Sequence, residues 1–234
     1  MLTRILLYIP VWTVMNRLVF NGLYFFSKTL FNFEEKLDRI TSSAISGIHG
    51  ITTLSLMINA TYSNDILFSY HINNYENILS YSLSYFIYDI INDTKIGTAT
   101  YSFIIHHLLA LFSGVYLYRT NLGQLYVLSL FVELSSPFQN MKCILDTMDM
   151  KTNKIYLING LMFFLMFFIC RILYAPVCMW SAWTLSAQKS DITDTSMSYG
   201  PLMLVSGFTT LNVFWFYKMV QILKYKCKQL NPTN

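Results

Sequence analysis

The chain has 234 residues, 54% of them hydrophobic and 17% aromatic but only 12% charged, about half the charged fraction of an average soluble domain. Such a composition excludes an ordinary water-soluble globule. The 16 basic and 12 acidic side chains leave a net charge of +4, but the bases form no continuous stripe of the kind that neutralises phosphates, so no nucleic-acid partner is expected.

Crossing a bilayer as a helix takes about 20 mostly apolar residues, because the buried peptide groups must bond within their own segment. Seven stretches approach that length, at 5–26, 41–60, 77–91, 101–118, 122–145, 155–185 and 199–223. The first carries Asn16, Arg17 and Asn21 and has no small-residue cleavage site after it, so it reads as a retained span and not as a secretory signal. The third is short. The sixth exceeds a straight crossing and contains Pro176, which removes a backbone donor and predicts a kink or an end there. Short polar gaps leave no room for a separate soluble core. The expected fold class is all-α: a polytopic membrane protein of about seven transmembrane helices. Cys143, Cys170, Cys178 and Cys227 have neither zinc-site spacing nor the density of a disulfide scaffold. They are assigned no chemistry, and no metal is expected.

With seven crossings, eleven bases fall on the side of the carboxyl terminus: Lys28, Lys36, Arg39, Lys95, Lys142, Lys151, Lys154, Lys218, Lys224, Lys226 and Lys228. Three fall opposite, Arg4, Arg119 and Lys189, while Arg17 and Arg171 lie inside spans. Lys and Arg stay on the cytoplasmic face, so the carboxyl terminus is expected in the cytosol. The Asn59-Ala60-Thr61 glycosylation acceptor then faces the lumen, close to the membrane. Lysines 224–228 read as a stop-transfer flank.

Ionisable groups within spans are costly and face the bundle interior. Six qualify: His49, Asp89, His106, His107, Glu133 and Arg171. Counting along each span at about 1.5 Å per residue, Asp89, His106 and His107 fall in the cytosolic half, and the other three nearer the middle. A polar centre opening towards the cytosol is expected. In the plain structural reading these groups hold helices together, with Arg171 neutralising Glu133 or Asp89 and His49 bonding a carbonyl on a neighbouring helix. His106 and His107 point about 100° apart on a helix, so one should face the interior and the other an adjacent helix or the interface. A histidine can take a proton from an amine or hydroxyl, or accept an acyl group, with Asp89 or Glu133 orienting its ring. Tyr85, Tyr88 and Tyr126 present hydroxyls to the same region or act as packing.

In this order, several pieces resemble the TLC domain shared by ceramide synthases, translocating-chain-associating proteins and small lipid-linked proteins. They are Ser46-Gly-Ile-His49, Tyr85-Phe-Ile-Tyr-Asp89, Ile105-His106-His107, Glu133-Leu-Ser-Ser-Pro137-Phe-Gln-Asn140, Asn159-Gly160 with Phe167, Phe168 and Arg171, and Leu211-Asn212 with Trp215-Phe216. The resemblance implies six helices around a central cavity, preceded by an extra helix, in endoplasmic-reticulum membrane. It divides the chain into an amino-terminal helix and linker at 1–40, a TLC domain at 41–225 and a cytosolic tail at 226–234. It also adds Asn140 and Asn212 to the polar cavity lined by His49, Asp89, Glu133 and Arg171. Asn121-Leu-Gly123 is similar to the loop of the ceramide-synthase signature, but the aspartates that follow there are absent, and Glu133 with Ser-Ser-Pro is closer to the small TLC-domain proteins.

The function this predicts is binding of a lipid or fatty acyl chain, with an influence on membrane lipid composition and no cofactor. The alternative is a ceramide-synthase-like N-acyltransferase acting on a sphingoid base, with acyl-CoA as donor and His106 or His107 as base or acyl acceptor. A proton-coupled transporter and a scaffold for other membrane proteins rank below these two. Oligomeric state is not readable.

Overall fold

In a computed structural model the protein is described at residues 1–30, 36–62, 74–189 and 195–230. The side chains at 26–30, 61–62, 182–183, 185–189, 195–202 and 226–230 are not described. Lys28, Thr61 of the glycosylation acceptor, Lys189, Lys226, Cys227, Lys228 and the tail beyond residue 230 therefore lie outside the described residues or side chains.

The described residues form seven helical rods and no strand. Four are single helices, α1 (Leu2–Leu30), α2 (Leu37–Tyr62), α3 (Tyr75–Lys95) and α4 (Tyr101–Arg119). The fifth rod joins α5 (Gly123–Ser129), a 3₁₀ segment (Leu130–Ser135) and α6 (Ser136–Thr147). In the sixth, a π-helical segment (Phe168–Tyr174) links α7 (Lys154–Phe167) to α8 (Ala175–Lys189), and α9 (Thr195–Leu230) is the seventh. Each rod contains one of the seven apolar stretches. By length and composition, Tyr101–Arg119 and Lys154–Ser181 are apolar enough to cross a membrane.

Of the two outcomes expected at Pro176, a kink or an end, the end does not occur. The chain instead widens into the π segment just before it and resumes as α8, which accommodates the carbonyl that the proline cannot bond. A related device shapes the fifth rod. Pro137 has no N–H for the Glu133 carbonyl, which instead accepts from Ser136 N–H in the tighter 3₁₀ closure.

Neighbouring rods pack as α1 on α2 and α3, α2 on α6, α3 on α4, α6 on α7, α4 on α9 and α8 on α9. Close approach needs small residues. A Cβ on Gly114 would sit 2.6 Å from Leu83 Cδ2 and 3.2 Å from Tyr126 Cε2, so glycine is what lets α4 press against α3. The α3–α4 turn is short and closes on Gly97 at φ 72°, with Thr98 N–H donating to the Asp93 carbonyl. Asp89 and His107 stand nine residues either side of Thr98, so the hairpin brings them level. At the opposite side of the bundle from Arg119, Lys36 pairs with Asp149 in the turn after α6, and this hydrogen bond holds the exposed Asp149 carboxyl below its ordinary range.

Large apolar side chains point outward on most rods, among them Leu7, Ile58, Phe112, Leu161, Val177 and Val213. Polar ones point in: Thr41, His49, Thr53, Ser80, Ser82, Asp89, His107, Glu133, Arg171 and Asn212 are all buried. A monomer in water would not expose so much contiguous apolar surface; a bundle solvated by lipid does.

Candidate functional site: a two-chambered cavity

The buried polar residues separate into an aromatic cluster, two ion pairs and the walls of a cavity. His49, on α2, stacks on Tyr85 at 3.8 Å between ring centroids and lies edge-on to Trp12 at 5.8 Å. Its Nε2 is 3.3 Å from Ser82 Oγ on α3, a hydroxyl where the sequence reading placed a carbonyl. Trp12, from α1, is fully buried and donates its Nε1–H to Ser84 Oγ at 3.1 Å. His49 is absent from the cavity walls, so the structure separates it from the other five groups. Arg17 is exposed on α1, outside the bundle interior.

His107 Nε2 lies 3.1 Å from Asp89 Oδ2, and both side chains are buried. Its Nδ1 is 3.0 Å from the Phe103 carbonyl oxygen, one turn back on α4. A carbonyl can only accept, so Nδ1 carries a proton and Nε2 is left to the aspartate. Both nitrogens of His107 are thereby occupied. His106 differs: its Nδ1 is buried and has no hydrogen-bond partner among the described residues. Thr100 sets this register, since its side chain caps α4 by accepting from Phe103 N–H at 3.3 Å.

Arg171 projects from the π segment onto the 3₁₀ segment. Its Nε donates to Ser135 Oγ at 2.9 Å, one Nη donates to Ser136 Oγ at 3.4 Å, and the same Nη stands 3.9 Å from Glu133 Oε1. Glu133 Oε2 accepts from Ser136 Oγ at 2.6 Å. The guanidinium thus faces Glu133, not Asp89, and two serines hold the pair in register. Asn140 bridges α6 to α2 by donating to Ser46 Oγ at 2.9 Å. The Oδ1 of buried Asn212 has no partner among the described residues.

Two chambers meet at these groups. The larger, of about 470 Å³, is polar and lined by Arg39, Ser42, Asp89, Asp93, His107, Asn140, Lys142 and Lys218 among others. The smaller, of about 90 Å³, has walls of Ala110, Leu117, Leu125, Leu130, Val205 and Phe208, with Asn212 and Tyr126 as polar points. Phe86, His106, Glu133 and Arg171 line both, and this shared wall is termed the neck. From Thr100, the N-cap of α4, on the polar chamber to Leu117 on the apolar one is a depth of about 26 Å at about 1.5 Å per residue. No group of three or more His, Cys, Asp or Glu side chains placed to hold a metal occurs among the described residues.

The TLC-domain profile matches residues 32–221, from the start of α2 through most of α9. The chain belongs to the TLC-domain family. It is therefore a membrane protein, as its outward apolar faces already required. It is 25% identical to TLC domain-containing protein 4 A of Dictyostelium discoideum over 226 residues, covering 88% of this chain and 85% of that protein. It is 26% identical over 148 residues to an uncharacterised TLC domain-containing protein of Schizosaccharomyces pombe, covering 63% of this chain and 51% of the relative. No solved structure matches the chain. Both relatives are named as TLC domain-containing proteins. The TLC domain does not enclose its own core unaided: α1, outside the matched range, delivers Trp12 and, through Asn16 Nδ2 to Tyr88 Oη at 2.6 Å, a further bond to α3.

Sequence reasoning missed Trp12, Phe86 and the Ser135–Ser136 clamp. Pro137 and Pro176 are the signals that would have found the clamp, because each stands two residues after an irregular segment that carries one member of the Arg171–Glu133 pair.

Proposed function

We propose that the TLC domain holds a lipid or fatty acyl chain in the two-chambered cavity and, through that binding, influences membrane lipid composition. All seven rods cross the membrane in this reading, with 1–40 as an accessory helix and linker, 41–225 as the lipid-binding unit and the tail from 226 in the cytosol. The endoplasmic reticulum is the membrane the family resemblance suggests. The single observation that carries the reading is the shared neck. An apolar chamber suits an acyl tail, a polar one suits a headgroup, and His106, Glu133 and Arg171 stand where the two would join. Arg39, Lys142 and Lys218 line the polar chamber, which supports a reading in which it opens to the cytosol, the side on which Lys and Arg are retained.

Mass spectrometry of lipids retained through detergent purification tests this. A defined lipid species should co-purify with the wild type and be lost on Ser113→Phe, which fills the apolar chamber. An empty wild-type protein would refute the proposal.

One observation favours a second reading, N-acyl transfer. His106 lines the neck and its buried Nδ1 has no partner among the described residues; in this reading it takes the proton from a sphingoid-base amine as that nitrogen attacks an acyl-CoA thioester carbonyl and the CoA thiolate leaves. His107, held by Asp89, would then orient the neighbouring turn. Amide product formed from acyl-CoA and a sphingoid base by wild type, and abolished by His106→Ala, would replace the binding reading with this one.

A further inference from the structure

His106 projects from α4 onto α9, where its ring lies edge-on to Phe208 at 5.6 Å and to Trp215 at 5.2 Å between centroids. Asn212 follows Phe208 by four residues and precedes Trp215 by three, so the helical repeat sets all three on the face that His106 touches. Asn212 is 4% exposed and lines the apolar chamber, with Oδ1 unpartnered among the described residues. His106 Nδ1 is unpartnered in the same wall. With Tyr126 Oη, which is also unpartnered among the described residues, three residues lining one apolar chamber carry a buried polar atom without a partner, a set that calls for a polar ligand group.

Charge decides which class of group. The Arg171 guanidinium is met by Glu133 at 3.9 Å and by Ser135 and Ser136 at 2.9 and 3.4 Å. Asp89 and His107 form a second pair at 3.1 Å on the polar side. Neither pair leaves an uncompensated cation at the neck itself, and Arg39, Lys142 and Lys218 lie on the wall of the polar chamber, so a carboxylate or phosphate drawn down to Asn212 would lose its water and leave those cations behind. A hydroxyl or primary amide loses far less and supplies both a donor for Asn212 Oδ1 and a bond for His106 Nδ1.

We infer that the neck receives the uncharged head of a single-chain lipid, one bearing a hydroxyl or primary amide, and discriminates against the fatty acid anion of equal chain length. The inference rests on the lipid-binding reading and adds the class of head.

The test is competition against a photoactivatable diazirine analogue of hexadecanol, using the full chain in nanodiscs of neutral phospholipid. Competitors are hexadecanol, hexadecanamide and hexadecanoate, at about pH 8, where the acid is ionised in solution. Hexadecanol and hexadecanamide should displace the probe about tenfold more effectively than hexadecanoate, the size expected for one or two buried hydrogen bonds. Asn212→Leu, nearly equal in volume, should bring the three within about twofold of one another by removing those bonds, and so serves as the control for partitioning into the bilayer. Asn212→Ser, a smaller replacement with a donor and an acceptor, should keep part of the preference. Hexadecanoate competing as well as the alcohol, or a preference that survives Asn212→Leu, overturns the inference and leaves lipid binding standing. Absence of crosslinking by the probe in every variant, together with no co-purifying lipid, removes both.

Discussion

Adjacent histidines on one helix have opposite situations here. His107 spends both ring nitrogens on Phe103 and Asp89, while His106 keeps one free in the cavity wall. Removing one member of a buried hydrogen-bonded pair leaves the other desolvated and uncompensated, which costs about 3–5 kcal/mol. Asp89→Leu should therefore lower the thermal midpoint in detergent markedly, and adding His107→Leu should recover part of the loss, since no buried polar partner is then left alone. An additive double mutant would show that the pair is not coupled. Which histidine was free could not be read from the pair itself. Their 100° separation says only that they differ, and the answer depends on α3 presenting Asp89 level with the second of them.

Helices meet here through local departures from regularity. The 3₁₀ segment before Pro137 and the π segment before Pro176 face each other, and each re-aims one charged side chain, Glu133 or Arg171, at the neck. A regular α-helix through either region would rotate the downstream residues relative to the upstream ones, so the prolines fix where a charge points as well as where a hydrogen bond is lost. Gly114 acts at the same level. A methyl group there would overlap Leu83 Cδ2 at 2.6 Å, and overpacking of this kind costs about 1–3 kcal/mol. Gly114→Ala should lower stability by that amount, and Leu83→Ala in the same chain should restore some of it although it is destabilising alone. A Gly114→Ala variant as stable as wild type would mean that α4 is free to move off α3.

The molecule as a whole is solvated by lipid on its outside and polar along its axis. Each rod was legible as an apolar stretch, because the length and composition of a span are local properties. Pro176 was legible as an interruption, but its form was not. By sequence His49 groups with the other five ionisable side chains, at the same middle depth as Glu133 and Arg171. The tertiary structure sets it apart, behind Tyr85 and Trp12, because a span's sequence carries no record of which face a neighbouring helix covers. In the proposed topology a carboxyl-terminal epitope should be reached by antibody once the plasma membrane alone is permeabilised, whereas an epitope inserted after Arg119 should require permeabilisation of the internal membranes. The reverse result would invert the bundle and place the polar chamber on the lumenal side.

Taken alone, the order of residues determined an all-helical chain with seven apolar stretches, a one-sided distribution of its bases and six ionisable groups within those stretches, since each of these follows from composition and spacing along one helix. Only the packed structure decided that Arg171 answers Glu133, that His107 is spent and His106 is not, and that two chambers share a wall of four residues. Those outcomes depend on the rotation of each helix about its axis and on its choice of neighbour, and both are settled by contacts between residues far apart in the chain.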